Sequence, residues 1–195
     1  RPEMAIANLM TAQLARYYGA SFSGHAGLTD AKLPSVEAGA QKALTAVPTL
    51  LAGGSLWMDV GLLAADEVCS PIQMVLDGEL MAALSRFTHD LRIDEETIGL
   101  ETILAVGPGG QYLDRMHTVR HFRDEIWIPS IWSRQMLNAW LAEDRRLDVD
   151  AARTVVLQVQ SEVAREPAGQ GLSRPLEQEV LRIIADAKRD LVSRL

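Results

Sequence analysis

Two short stretches, residues 20–24 and 55–63, read as strands, and each lies between segments of helical periodicity. The first helix covers 3–18, with Met4, Leu9, Met10 and Leu14 at helical spacing, Pro2 suited to its first turn and Gly19 as its stop. A turn-rich loop, 24–32, separates the first strand from a long helix over 35–52 that ends at Gly53-Gly54. A second loop, 64–69, follows the second strand. Ser70-Pro71-Ile72-Gln73 then has the form of a capping box and opens a helix over 71–91. The order helix–strand–helix–strand–helix is the signature of a parallel α/β unit, in which a helix supplies the crossover that parallel strands need.

The pattern changes after Asp94, which is placed to cap a helix at 95–105. A turn at Gly107-Pro108-Gly109-Gly110 follows, then helical segments at 118–126, 130–143, 148–165 and 175–194, the last two joined by a linker over 166–173. The 195 residues are 48% hydrophobic and 23% charged, enough apolar material for a core. A net charge of −7 argues against a nucleic-acid-binding face. The single cysteine, Cys69, excludes an intrachain disulfide and fits a reducing, cytoplasmic compartment. No apolar run reaches the roughly 18 residues that span a bilayer. The chain opens on Arg1-Pro2-Glu3-Met4 and enters a helix at once, which suggests a piece of something longer.

Three runs carry a resemblance. The first is Gln13-Leu14-Ala15-Arg16-Tyr17-Tyr18-Gly19, leading into Gly27-Leu28-Thr29-Asp30-Ala31-Lys32, with Ala38-Gly39 and Lys42-Ala43-Leu44 beyond. The second is Gln73-Met74-Val75-Leu76-Asp77-Gly78-Glu79. The third is Val106-Gly107-Pro108-Gly109-Gly110-Gln111-Tyr112-Leu113, followed by His117-Thr118, His121-Phe122-Arg123 and Trp127. In order and spacing they resemble the trimethylamine methyltransferase family, in its branch without pyrrolysine. The resemblance implies the C-terminal part of a TIM-type (β/α)8 barrel over 1–130 and a helical tail over 131–195. A complete barrel takes about 250 residues, so two strands are only a part of one, and an open sheet edge predicts a homo-oligomer.

The resemblance also implies a methyl transfer from a methylated amine to the cobalt of a separate corrinoid-binding protein, with no cofactor held permanently by this chain. A quaternary donor such as glycine betaine suits a relative lacking pyrrolysine, because its leaving group is a neutral amine.

Active sites of parallel barrels lie at the C-terminal ends of the strands, here the loops 24–32 and 64–69. Asp30 and Lys32 are the catalytic candidates: a carboxylate to face the donor's nitrogen and an ammonium to hold a substrate carboxylate. Asp30 fits an Asx-turn equally well, and Lys32 fits a solvated loop. His25, Trp57, Asp66 and Glu67 are the substrate-binding candidates, Trp57 through a cation–π contact. An aromatic on a strand is more often core, and loop carboxylates are usually solvated. Trp57 and Asp59 share one side of their strand, Met58 and Val60 the other. Cys69 reads as a packed residue. Ser70 and Gln73 belong to the cap, and Asp77 to the negative charge favoured early in a helix.

His117 and His121 have metal-like spacing but lack a third ligand pattern. They read as packing or hydrogen-bonding residues, with Thr118 as a helix cap. The competing reading is a non-catalytic module that docks the corrinoid protein or supports assembly. A longer reading frame beside a corrinoid-binding gene separates the two.

Overall fold

The first 58 residues build the parallel arrangement that the helix–strand order indicates. In a computed structural model, which describes residues 2–143, 145–165 and 173–192, α1 spans Pro2–Tyr17, β1 Ser23–Ala26, α2 Val36–Leu51 and β2 Ser55–Met58. β1 and β2 are parallel neighbours, with His25 opposite Trp57 and Ala26 opposite Met58. The chain divides into two units, Arg1–Thr154 and Val155–Leu195.

β2 is shorter than the stretch 55–63 suggests. Val60 N donates to Met58 O, and Gly61 takes a positive φ of 82°, so the extended backbone stops. The remainder forms β3 (Leu62–Leu63), which turns back to pair antiparallel with β4 (Val68–Cys69). The tip between them holds three successive residues in the left-handed region: Ala64, Ala65 and Asp66, with φ of 51°, 53° and 83°. This tip is tied to the loop after β1, since Ala64 N donates to Ala31 O and Ala65 N to Thr29 O.

α3 spans Pro71–Phe87 and begins as the sequence indicates, with Ser70 Oγ accepting from Gln73 N at 3.3 Å. The capping box is only half formed, because the Gln73 amide donates to Asp77 Oδ1 instead. The helix expected over 95–105 is divided into α4 (Glu95–Ile98) and α5 (Leu100–Val106) by Gly99 at φ 64°. Asp94 does cap α4, in a reciprocal box with Thr97. α6 spans Met116–Glu125, so Thr118 lies inside it; its hydroxyl donates to Tyr112 O.

Of the helix expected at 130–143 only α7 (Leu137–Ala142) forms. The Ser130 hydroxyl and the N–H groups of Ile131 and Trp132 donate to the Glu79 carboxylate, at 2.6, 3.0 and 3.2 Å, which diverts that backbone from a helix. α8 (Asp148–Arg165) and α9 (Arg174–Val192) match expectation; the linker at 166–172 and the last helix end at 193–194 lie outside the described residues. No helix of the described residues is long and apolar enough to cross a membrane.

Helices cover one face of the parallel pair. Ala26, Ala46 and Leu84 are buried together, with Val47, Leu50, Leu56, Leu80 and Met81 packed against them. The approach of β1 to α2 is close: a Cβ on Gly24 would lie 2.3 Å from Thr49 Cγ2. α1 joins them through Asn8, whose amide donates to His25 O and Thr49 Oγ1. Burial along β1 alternates, Gly24 and Ala26 inside, Ser23 and His25 outside. In β2 Leu56 and Met58 are half-buried while Ser55 and Trp57 are exposed. The first unit is thus a helix-rich α/β arrangement whose parallel sheet is packed on one side and open on the other.

Candidate functional site

The open face of β1–β2 gathers the polar side chains that the strands carry toward their C-terminal ends. His25 and Trp57 stand side by side in register. One residue past β2, the Asp59 carboxylate pairs with His25 Nε2. Trp57 is 70% exposed, whereas the Asp59 side chain is 14% exposed. A large exposed indole beside a shielded carboxylate offers two complementary attractions for a cation: a π face and a negative charge in surroundings that screen it poorly.

Asp59 is held through its backbone on two sides. Its N–H donates to Ala26 O at 3.1 Å, continuing the ladder from β1. Its carbonyl accepts from Lys42 Nζ at 2.9 Å. Lys42 on α2 and Asp77 on α3 form an ion pair of 2.8 Å, with both side chains 1% exposed or less. Asp77 Oδ2 also accepts from Gly61 N at 2.7 Å, and its other oxygen accepts from Gln73. Sequence reasoning took Asp77 as a helix-start charge and Gln73 as half of a cap; both belong to this buried network.

The other candidates are placed as follows. Asp30 is half-buried, its N–H donating to Gln41 Oε1 at 2.7 Å; the same oxygen accepts from Thr29. Lys32 is exposed, and its ammonium donates to the Asp30 carbonyl at 2.5 Å. Asp30 also borders a cavity of about 330 Å³ with Leu28, Thr29, Ala65 and the start of α1. Asp66 and Glu67 are exposed on the hairpin tip, with Cys69 exposed on β4. The structure therefore brings His25 and Trp57 together and adds Asp59, while Asp30 and Lys32 sit on the loop beyond β1 and Asp66 and Glu67 on the hairpin. The signal for Asp59 was its alternation with Trp57 along the strand.

Farther along, His117 Nε2 lies 2.7 Å from Glu96 O, and His121 Nε2 lies 3.8 Å from the Glu96 carboxylate. No group of three or more His, Cys, Asp or Glu side chains is placed to hold a metal among the described residues.

A parallel α/β unit that presents charged and aromatic side chains at the C-terminal ends of its strands belongs to the broad class of α/β proteins whose sites form there. The comparisons narrow that class: the trimethylamine methyltransferase (MTTB) family model matches residues 1–183, and the chain belongs to that family. It is 29% identical over 143 residues to a glycine betaine methyltransferase of Desulfitobacterium hafniense (strain Y51), covering 73% of this chain and 30% of that protein. It is also 29% identical over 141 residues to trimethylamine methyltransferases MttB of Desulfitobacterium hafniense (strain DSM 10664 / DCB-2) and Methanosarcina thermophila. Each of those two matches covers 72% of this chain, with 28% and 29% of the relatives respectively. The chain spans under a third of the length of these relatives.

Proposed function

We propose that this chain is part of a methyltransferase that takes a methyl group from a quaternary methylated amine, of which glycine betaine is the model, and delivers it to a corrinoid protein. The observation that carries the reading is the cluster of Trp57, Asp59 and His25 on the open face of the parallel pair. In this reading that face is the interior of a TIM-type barrel and the cluster lies at its mouth.

The chemistry follows from the donor's charge. Cleaving a C–N bond of a quaternary ammonium leaves the electron pair on nitrogen and releases a neutral tertiary amine, so the site need supply no proton. Its tasks are to attract the cation, exclude water and aim one methyl outward. Trp57 and the Asp59 carboxylate serve the attraction, and His25 holds that carboxylate on the open face. Lys32, on the exposed loop beyond β1, is suited to a substrate carboxylate. A reduced corrinoid on a partner protein supplies the nucleophile that accepts the methyl. In-line placement of donor and acceptor provides much of the acceleration.

The test is methylation of Co(I) cobalamin by the full-length protein carrying this sequence, followed by absorbance across a panel of quaternary and tertiary amines. Turnover of betaines is the expected result. Turnover of trimethylamine with no betaine active would overturn the choice of donor.

A further inference from the structure

Buried ion pairs contribute little net stability, since desolvating two charges costs about as much as their attraction returns. Lys42 and Asp77 are nevertheless fully enclosed, on two different helices, where an apolar pair of similar volume would pack as well. What an apolar pair could not do is hold backbone polar groups. Lys42 Nζ donates to the Asp59 carbonyl and Asp77 Oδ2 accepts from Gly61 N. These two groups flank Val60, at the point where β2 stops and the chain turns into the hairpin. Gln73 donates to the remaining Asp77 oxygen and orients the carboxylate. The Asp59 N–H is already committed to Ala26 O. Its peptide groups are thus held on both sides, which fixes the direction of its Cα–Cβ bond, and from there its carboxylate meets His25.

From this geometry we infer that Lys42 and Asp77, oriented by Gln73, are positioning residues that aim the Asp59 carboxylate at the open face of the sheet. The inference rests on the reading of that face as the donor site, and names the device that sets its precision. Removing either charge alone leaves the other buried and unpaired, and such variants can fail to fold. The informative variant is therefore the double replacement Lys42→Met with Asp77→Leu, which keeps the branching at Asp77 and nearly the length at Lys42 and removes both charges.

The experiment is a coupling cycle in the full-length protein, with kcat/KM measured for glycine betaine and free Co(I) cobalamin, and thermal unfolding recorded for each variant. Asp59→Ala and the Lys42→Met/Asp77→Leu pair are each expected to lower kcat/KM tenfold or more. Combined, they are expected to stay within about twofold of Asp59→Ala alone, because residues acting through one group do not add. A merely structural role gives losses that multiply, near a hundredfold, and overturns the positioning role while leaving the donor site standing. Unchanged kcat/KM in Asp59→Ala overturns the donor site and this inference with it. If the double variant does not fold, Gln73→Leu takes its place in the cycle, removing one hydrogen bond from Asp77, with the same two outcomes read from its combination with Asp59→Ala.

Discussion

Among single residues, Glu79 has the clearest electrostatic consequence. It is 3% exposed. Burial alone pushes its carboxyl up, but the Ser130 hydroxyl and the N–H groups of Ile131 and Trp132 outweigh that and hold it below the ordinary glutamate range. A carboxyl lowered by folding stabilises the folded state above its unfolded value, about 4.3, and that stabilisation fades as pH falls through the lowered one. Glu79→Gln is expected to cost roughly 1.5–3 kcal/mol at neutral pH, the range for hydrogen bonds to a charged group. The difference from the unaltered protein should shrink below about pH 4, as followed by denaturant unfolding at pH 7 and pH 3. A difference independent of pH would mean that the carboxylate's charge is not what holds 130–132. Trp57 gives the second test: on the proposed function, Trp57→Ala is expected to raise KM for a quaternary donor several-fold with a smaller effect on kcat, because a cation–π contact would serve bound donor and transition state alike. Such consequences were legible only in part. Trp57 stood out by chemistry and strand position and His25 as a residue of the loop 24–32, although the strand runs Ser23–Ala26 rather than 20–24 and carries His25 itself; Glu79 lay in a run noted for resemblance alone, and its partners are 51 to 53 residues away.

At the scale of elements, what the sequence could show depended on how local the cause was. The helix ends at Gly19 and Ser70 follow from stops and caps within a few residues, and the structure places them within one or two positions. β2 and the segment 130–136 were read too long because their limits are tertiary: Lys42 and Asp77 seize the backbone at 59–61, and Glu79 seizes it at 130–132. The left-handed run at Ala64–Asp66 has no glycine to announce it. Left-handed backbone costs a non-glycine residue about 1–2 kcal/mol, partly offset by the entropy that glycine restores to the unfolded chain. Ala65→Gly is therefore expected to raise stability by roughly 0.5–1 kcal/mol, measured as a shift in the denaturation midpoint. Gly24→Ala should act in the opposite direction. Its added methyl meets Thr49 at the closest approach of β1 and α2, and forced overpacking of this kind costs typically 1–3 kcal/mol. A neutral outcome at Gly24 would show that the strand and helix can separate without loss.

For the whole molecule, the helix–strand order was enough to predict parallel pairing, because parallel strands need a crossover; how the open face is covered lies beyond any local pattern. Parallel sheets are as a rule buried on both faces, yet here α2 and its neighbours cover one face while Ser23, His25, Ser55 and Trp57 look outward from the other. Each strand also has one edge with no partner among the described residues. An unpaired edge beside an exposed tryptophan is a template for association. The 195-residue chain, expressed by itself, is expected to self-associate, its weight-average sedimentation coefficient rising with concentration. Trp57→Lys, which sets a charge on the open face, should suppress that rise, since edges and faces carrying lysine resist pairing. A single monomeric species across the concentration range would remove the argument. Association that survives Trp57→Lys unchanged would move the contact away from this face, for instance to the exposed apolar stripe of Leu176, Val180, Ile183 and Ile184 on α9.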